Sequence, residues 1–243
     1  MANPIKLKCV VTSITKHGDS VFSVRLLPTR RLPNYFPGQF LHLALDPFEP
    51  SGGFWPESRI FSIASPPYEN EITIAYAIKG KFTERMSREL FVGKEVWVKL
   101  PYGHFTLSVP VNEEAILIAG GTGITPFISF ISMELNRPTD IRIKLFYGVR
   151  KPELFLFKDI LSQAILRLKD FNLHIFCEEE IAYINGIPVQ KGIITFDSIW
   201  SASKDPYNCV YYLSGPIEMI HKFKNSLLEN GIGLSKIRID EWE

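Results

Sequence analysis

The sequence predicts a β + α/β protein of two domains, an N-terminal antiparallel β-barrel over residues 1–110 and a C-terminal parallel-sheet domain over 111–243. Two observations predict this. Up to about Leu107 the chain runs as short apolar segments broken by turn residues, and from Ala115 onward strand-length apolar runs alternate with helix-length ones. A third observation concerns function. Where the rhythm changes, the run Ala115 to Ala119 ends in the glycine-rich turn Gly120-Gly121-Thr122-Gly123 before a helix-length segment opening on Thr125-Pro126.

In the first domain, Leu7 to Ile14, Val21 to Leu27 and Phe40 to Leu45 read as strands, separated by Lys16-His17-Gly18-Asp19-Ser20 and by Pro33-Asn34-Tyr35-Phe36-Pro37-Gly38. Arg59 to Ala64, Ile72 to Ile78 and Glu95 to Leu100 continue the series. Short strands at this spacing favour a small barrel or sandwich. A helix is expected to interrupt them, starting near Thr83 as its cap and carrying Met86 and Leu90 on one face.

After the polar link Ser108-Val109-Pro110-Val111-Asn112-Glu113, the expected order is strand 115–119, helix to Leu135, strand 141–147, helix from about Pro152 to Leu168, and strand 173–177. A less regular segment around Gly192 to Trp200 follows. Asn208 to Leu213 is another strand, and Ser214-Gly215-Pro216 opens a helix with Met219, Ile220, Phe223 and Leu227 inward and Gly231 as its stop. Lys236 to Ile239 is the last strand. Such alternation implies a parallel sheet covered by crossover helices.

Bulk properties narrow the function. A chain of 243 residues, 46% hydrophobic, has material for two cores. With 27 basic against 26 acidic residues it has no global field to attract a polyanion, which argues against nucleic acid as a partner. The start is too polar for a signal-peptide core and no apolar run approaches the roughly 20 residues of a membrane span, so a soluble, cytoplasmic protein is expected. Cys9, Cys177 and Cys209 are far apart and offer no C-x-x-C metal or iron-sulfur cradle, so no metal is expected.

Taken alone, the turn at 120–125 is either a phosphate-binding loop or a plain structural one. Glycines let a backbone approach a bulky anion while the N–H groups of the following helix point at it, and Pro126 suits the first turn because its missing N–H costs nothing there. In a parallel sheet, ligands bind outside the carboxyl ends of the strands. Three loops should leave that edge: Gly120 to Thr125, Tyr147-Gly148-Val149-Arg150 and Ser214-Gly215-Pro216. Their convergence favours a dinucleotide.

With these motifs in this order, the chain resembles the ferredoxin-NADP reductase superfamily of flavoenzymes over nearly its whole length. Arg59-Ile60-Phe61-Ser62 is similar to the family's Arg-x-Tyr-Ser flavin signature, with Phe for Tyr. The resemblance implies that Arg59 pairs with the FAD pyrophosphate, Phe61 packs on the flavin ring and Ser62 hydrogen-bonds near flavin N5. Gly80-Lys81-Phe82-Thr83 resembles the turn that meets the FAD pyrophosphate, and Tyr76 and Ile78 would lie along the ribityl and adenine side, although Tyr76 is equally readable as a strand residue facing solvent. Pro101-Tyr102-Gly103-His104-Phe105 is similar to the turn closing the family's barrel; His104 reads best as an exposed turn histidine.

In the second domain the resemblance gives Gly121, Thr122, Gly123 and Thr125 to the pyrophosphate of NADH or NADPH. Ser214-Gly215-Pro216-Ile217-Glu218-Met219 is similar to the family's Cys-Gly-Pro-x-x-Met, placing Ser214 against the nicotinamide without the thiol. Near the C-terminus, Trp242 would stack on the second flavin face and Asp240 would correspond to an acid near N5. At the place of the Ser-Arg pair of NADPH-using relatives stands Cys177-Glu178-Glu179-Glu180, which favours NADH, unless Arg150 or Lys151 reaches a 2′-phosphate. The implied activity is hydride transfer from NAD(P)H to FAD and electron transfer to a separate acceptor such as a ferredoxin, a flavodoxin or an oxygenase component. The alternatives are a reductase of free flavins or small acceptors, and a flavin-binding subunit without hydride transfer of its own.

Overall fold

β1 (Ile5–His17) sets the pattern of the first half: Leu7, Cys9 and Val11 are buried while the residues between them are not, the period of two that a half-buried strand requires. The computed structural model describes residues 3–49, 51–110, 112–137 and 139–240. β2 (Val21–Pro28), β3 (Phe40–Ala44), β4 (Ser58–Ser62), β5 (Ile72–Ala77) and β6 (Glu95–Tyr102) join β1 in an antiparallel sheet of order β4-β3-β6-β1-β2-β5. Just past β4 its end meets β5: the Ala64 N–H donates to Thr73 O (2.8 Å), and the Thr73 N–H donates to Ser65 Oγ (3.0 Å). That contact brings the two edge strands together and rolls the sheet into a barrel.

α1 (Lys81–Glu89) packs Phe82 and the fully buried Met86 into the barrel's core. Each such side chain contributes about 1.5–3 kcal/mol of burial. The helix begins two residues before the expected cap. Thr83 sits in its first turn and reaches back, its Oγ1 accepting from the N–H groups of Lys79 (2.9 Å) and Gly80 (3.1 Å) and donating to Gly80 O (3.0 Å). Those bonds satisfy backbone donors that a helix start leaves open. Gln39, only 3% exposed, accepts from the Phe36 N–H and donates to Gly103 O, both at 2.9 Å, and so ties the Pro37-Gly38 turn to the turn after β6.

The chain divides into two units between Thr106 and Leu107. The second is built on β7 (Glu114–Gly120), β8 (Arg142–Val149), β9 (Phe171–Cys177), β10 (Tyr183–Ile184), β11 (Ile187–Lys191), β12 (Cys209–Ser214) and β13 (Ile237–Asp240), in the order β10-β11-β9-β8-β7-β12-β13. Every neighbouring pair is parallel except the hairpin β10–β11. α2 (Thr125–Asn136), α3 (Lys158–Arg167), α4 (Phe196–Trp200) and α5 (Ile217–Glu229) make up its α-helices. Ser108, in the link, is held by the Tyr212 hydroxyl, which accepts its N–H and donates to its carbonyl at 2.9 Å each.

One expectation changes here, and one element is added. The helix expected from Pro152 starts only at Lys158: Pro152–Leu154 is a 3-10 turn, and Phe157 stands in the left-handed region (φ 56°). Burial decides this. Phe155 and Leu156 are driven inward beneath Tyr147, whose hydroxyl donates to Leu154 O and accepts the Leu156 N–H, each at 3.3 Å. The added element is the hairpin, which turns on Asn185-Gly186, both at positive φ (50° and 75°) as a two-residue type I′ turn requires.

At the N-terminal edge of this sheet, Lys144 Nζ donates to Glu114 Oε2 (2.8 Å) and to Ala202 O (2.7 Å). Both side chains are mostly buried, at 15% and 12% exposure. The Cys209 thiol lies beside them, pushed up by burial.

Candidate functional site

The parallel registers carry four strand ends to one edge of the second unit. Ser214 pairs with Ala119 on one side and with Asp240 on the other, while Gly120 pairs with Gly148. β8 and β9 lie on one side of β7, and β12 and β13 on the other, so the order reverses at β7/β12. A crevice at such a reversal is where open α/β sheets bind ligands.

The loop at this point divides its glycines between two tasks. Gly120 and Gly123 let chain segments touch: a Cβ on Gly123 would lie 2.5 Å from Ser214 C and 2.6 Å from Gly215 Cα. Gly121 instead faces open space, with no atom within 4 Å of where a Cβ would stand and with φ at +54°. Behind it runs α2, twelve residues long, with Pro126 in its first turn and no acidic residue there. The positive end of its dipole therefore meets no carboxylate from its own first turn. Thr125, 2% exposed, spends its hydroxyl on Thr122 O (2.6 Å) and braces the loop. These residues fit a pyrophosphate.

Beside the loop, Ser214 Oγ donates to Asp240 Oδ2 (3.1 Å), and the two residues are 3% and 4% exposed. Parallel pairing of β12 and β13 thus joins two of the residues singled out in the sequence. Gly215 and Pro216 follow in the turn leading to α5. At the end of β8, the Arg150 carbonyl accepts the Glu179 N–H (3.3 Å), placing the acidic run against this edge. Glu179 is paired with Lys151 (3.7 Å) and Glu180 with Lys191 (2.6 Å). Trp242 lies outside the described residues.

In the first unit, the guanidinium of Arg59 stands 5.1 Å from the ring of Phe82, in the first turn of α1. It is exposed and pairs with Glu57 at 3.0 Å, an exposed contact worth about 0–1 kcal/mol that a phosphate can replace. Gly80, at the same helix start, has open space where a Cβ would stand. Arg59, Gly80 and Thr83 therefore gather at one helix N-terminus, and that arrangement fits a second pyrophosphate. Phe61 points with Leu41 toward the core and is 9% exposed, its ring edge-on to Tyr76 at 6.2 Å. Tyr76 does not face solvent: it is 3% exposed and stacks on Phe22 at 5.2 Å, and burial pushes its phenol up to about 12. Ser62 is half-buried, and Ile78 packs against the core and donates its N–H to Ser20 O (2.8 Å). His104 is exposed. All three cysteines are buried thiols, and among the described residues no cluster of His, Cys, Asp and Glu has the makings of a metal site. Nor is any helix among them long and apolar enough to cross a membrane.

Sequence reading missed what holds the loops together. Met219 touches both Gly120 and Gly215, which a short motif does not reveal. The hairpin beyond the acidic run was marked by its Asn-Gly pair.

Residues 117–225 match the family model of the oxidoreductase NAD-binding domain. Over 97% of its length the chain superposes on 98% of the FAD/NAD-binding domain of nitric oxide dioxygenase from Vibrio cholerae O1 biovar El Tor, with a TM-score of 0.80 at 19% identity. Ferredoxin-NADP+ reductase from Plasmodium falciparum with 2′P-AMP gives a TM-score of 0.75 at 19% identity, covering 98% of this chain and 96% of that one. The fold is that of two-domain FAD/NAD-binding proteins. The family match lies wholly within the second unit of that fold. In sequence it is 27% identical over 238 residues to the reductase component of propane 2-monooxygenase from Rhodococcus jostii (strain RHA1), covering 96% of this chain and 62% of that protein. The chain thus spans about six-tenths of that relative's length.

Proposed function

We propose that the protein is an FAD-dependent NAD(P)H oxidoreductase that passes electrons to a separate acceptor, a small redox protein or an oxygenase component. The observation that carries this is the open loop at Gly121, backed by the N-terminus of α2 at the point where the strand order reverses. The oxygenase reductase named above, similar over nearly the whole chain, supports the choice of acceptor class. A bound flavin supplies the redox chemistry, accepting electrons as a pair and releasing them singly or in pairs.

The chain's own residues bind and orient. Arg59 takes one pyrophosphate at the N-terminus of α1, where Gly80 leaves room and the Thr83 hydroxyl braces the turn, while Phe82 supports the guanidinium from below. Phe61 and Ile78 give the flavin an apolar seat, narrow at Phe61 because so little of that ring is exposed, and Tyr76 backs it from the core. Ser62 offers a hydroxyl near the reacting end. In the second unit, Gly121, Thr122 and Gly123 receive the dinucleotide's pyrophosphate, with Thr125 holding their shape. Gly215 and Pro216 border the nicotinamide, and Ser214 presents an oxygen whose proton is held on Asp240. Asp240 thereby fixes the rotamer of Ser214. Trp242 is assigned to the second flavin face.

Binding of FAD tests this reading. Titration of the apoprotein with FAD is expected to quench flavin fluorescence to a one-to-one endpoint, and unquenched FAD at micromolar protein would refute it. For the nucleotide, the run Glu178-Glu179-Glu180 beside Arg150 opposes a 2′-phosphate: Lys151 and Lys191 are already engaged by two of its carboxylates. We therefore assign NADH as the preferred donor. Equal or lower KM for NADPH would reverse that assignment.

A further inference from the structure

Hydrogen-bonded pairing of β7 with β12 ends at Ala119↔Ser214. Beyond it the two strands become loops, and nothing in the ladder fixes their separation. What fixes it is contact. A Cβ on Gly215 would stand 2.9 Å from Gly120 N and 3.0 Å from Gly120 Cα, so the two backbones are already in van der Waals contact. The side chain that meets both glycines belongs to Met219, in the first turn of α5: its Cε is 2.9 Å from the Cβ position of Gly215, and its Sδ is 2.9 Å from that of Gly120. The Pro216 ring closes the same gap from the Gly120 side, with Cδ 2.7 Å from that Cβ position.

We propose that Met219 is a positioning residue whose thioether packs across the contact of Gly120 with Gly215 and holds the pyrophosphate loop against Ser214-Gly215, and with it the reach of a dinucleotide that must touch both. This rests on the dinucleotide reading given above. An unbranched side chain with a polarizable end suits an irregular gap between two backbones, where a branched one of similar volume does not extend as far. Shortening it removes the packing that holds the two loops in contact and leaves each loop's own anion contacts in place. The affinity lost should therefore be that of a ligand spanning both loops, not of one that uses the pyrophosphate loop alone.

Two ligands separate these cases: NADH, and ADP-ribose, which carries the pyrophosphate but no nicotinamide. In calorimetric titrations of the full chain without flavin, M219A is expected to raise the Kd for NADH roughly 10-fold while changing that for ADP-ribose by less than about 2-fold, because misplacement is felt where two sites must be reached together. M219Q, which keeps the length, should fall between M219A and the wild type, and carries the comparison if the alanine variant does not fold. Equal weakening of both ligands would make Met219 a general support of the fold and overturn the proposal. Unchanged NADH affinity in both variants would overturn it too. Wild-type protein that binds neither ligand would instead refute the dinucleotide site itself, and the proposal with it.

Discussion

Gly123→Ala is expected to cut the rate of flavin reduction by NADH by about 100-fold, the scale of loss that a misplacement of roughly 1 Å produces. The added methyl would meet Ser214 C and Gly215 Cα at 2.5 and 2.6 Å, and both are backbone at the end of β12. A flexible side chain could swing away, but the end of a central strand cannot. The loop must yield instead, carrying Gly121 and the start of α2 with it. Overpacking of this kind also costs about 1–3 kcal/mol of stability, so melting should be measured beside the kinetics. A variant reduced at the wild-type rate would show that the approach of the two loops is not what positions the donor.

The second large effect lies at the opposite edge of the same sheet. Lys144→Ala is expected to destabilise the second unit by about 3 kcal/mol, because it strands the mostly buried Glu114 carboxylate without its cation. In thermal melts that is a fall of roughly 10 °C. The double variant Lys144→Met with Glu114→Leu should recover most of it, since replacing a buried pair by apolar side chains removes the desolvation cost along with the attraction. NADH affinity at the other edge should hardly change. A single variant that melts with the wild type would mean that water already solvates the pair.

Which features could be read from the sequence depended on how local their causes are. β7, its glycine turn and α2 were legible because a strand-length apolar run, glycines and Thr-Pro each act within a few residues. So were the six strands of the first unit, whose alternation is its own signature. The start of α3 was not, because it is set by the burial of Phe155 and Leu156 under Tyr147, a demand that comes from the packed unit. The hairpin at Asn185-Gly186 did carry a local signal, but its flanking strands are short and β10 covers only two residues. In the site, Ser214 and Asp240 could each be named, yet their hydrogen bond depends on β13 pairing beside β12, which only the sheet order determines. Phe61 was legible as an aromatic in the right place. Its inward direction follows from its register opposite Leu41, which the motif alone does not contain.

The measurement that bears most directly on the central claim is an anaerobic titration of the FAD-loaded protein with NADH, followed by the visible absorbance of the flavin. Stoichiometric bleaching is expected at one NADH per chain, with NADPH needed at higher concentration. A flavin that binds but stays oxidised with both nucleotides would contradict it and leave a flavin-binding protein without hydride transfer of its own.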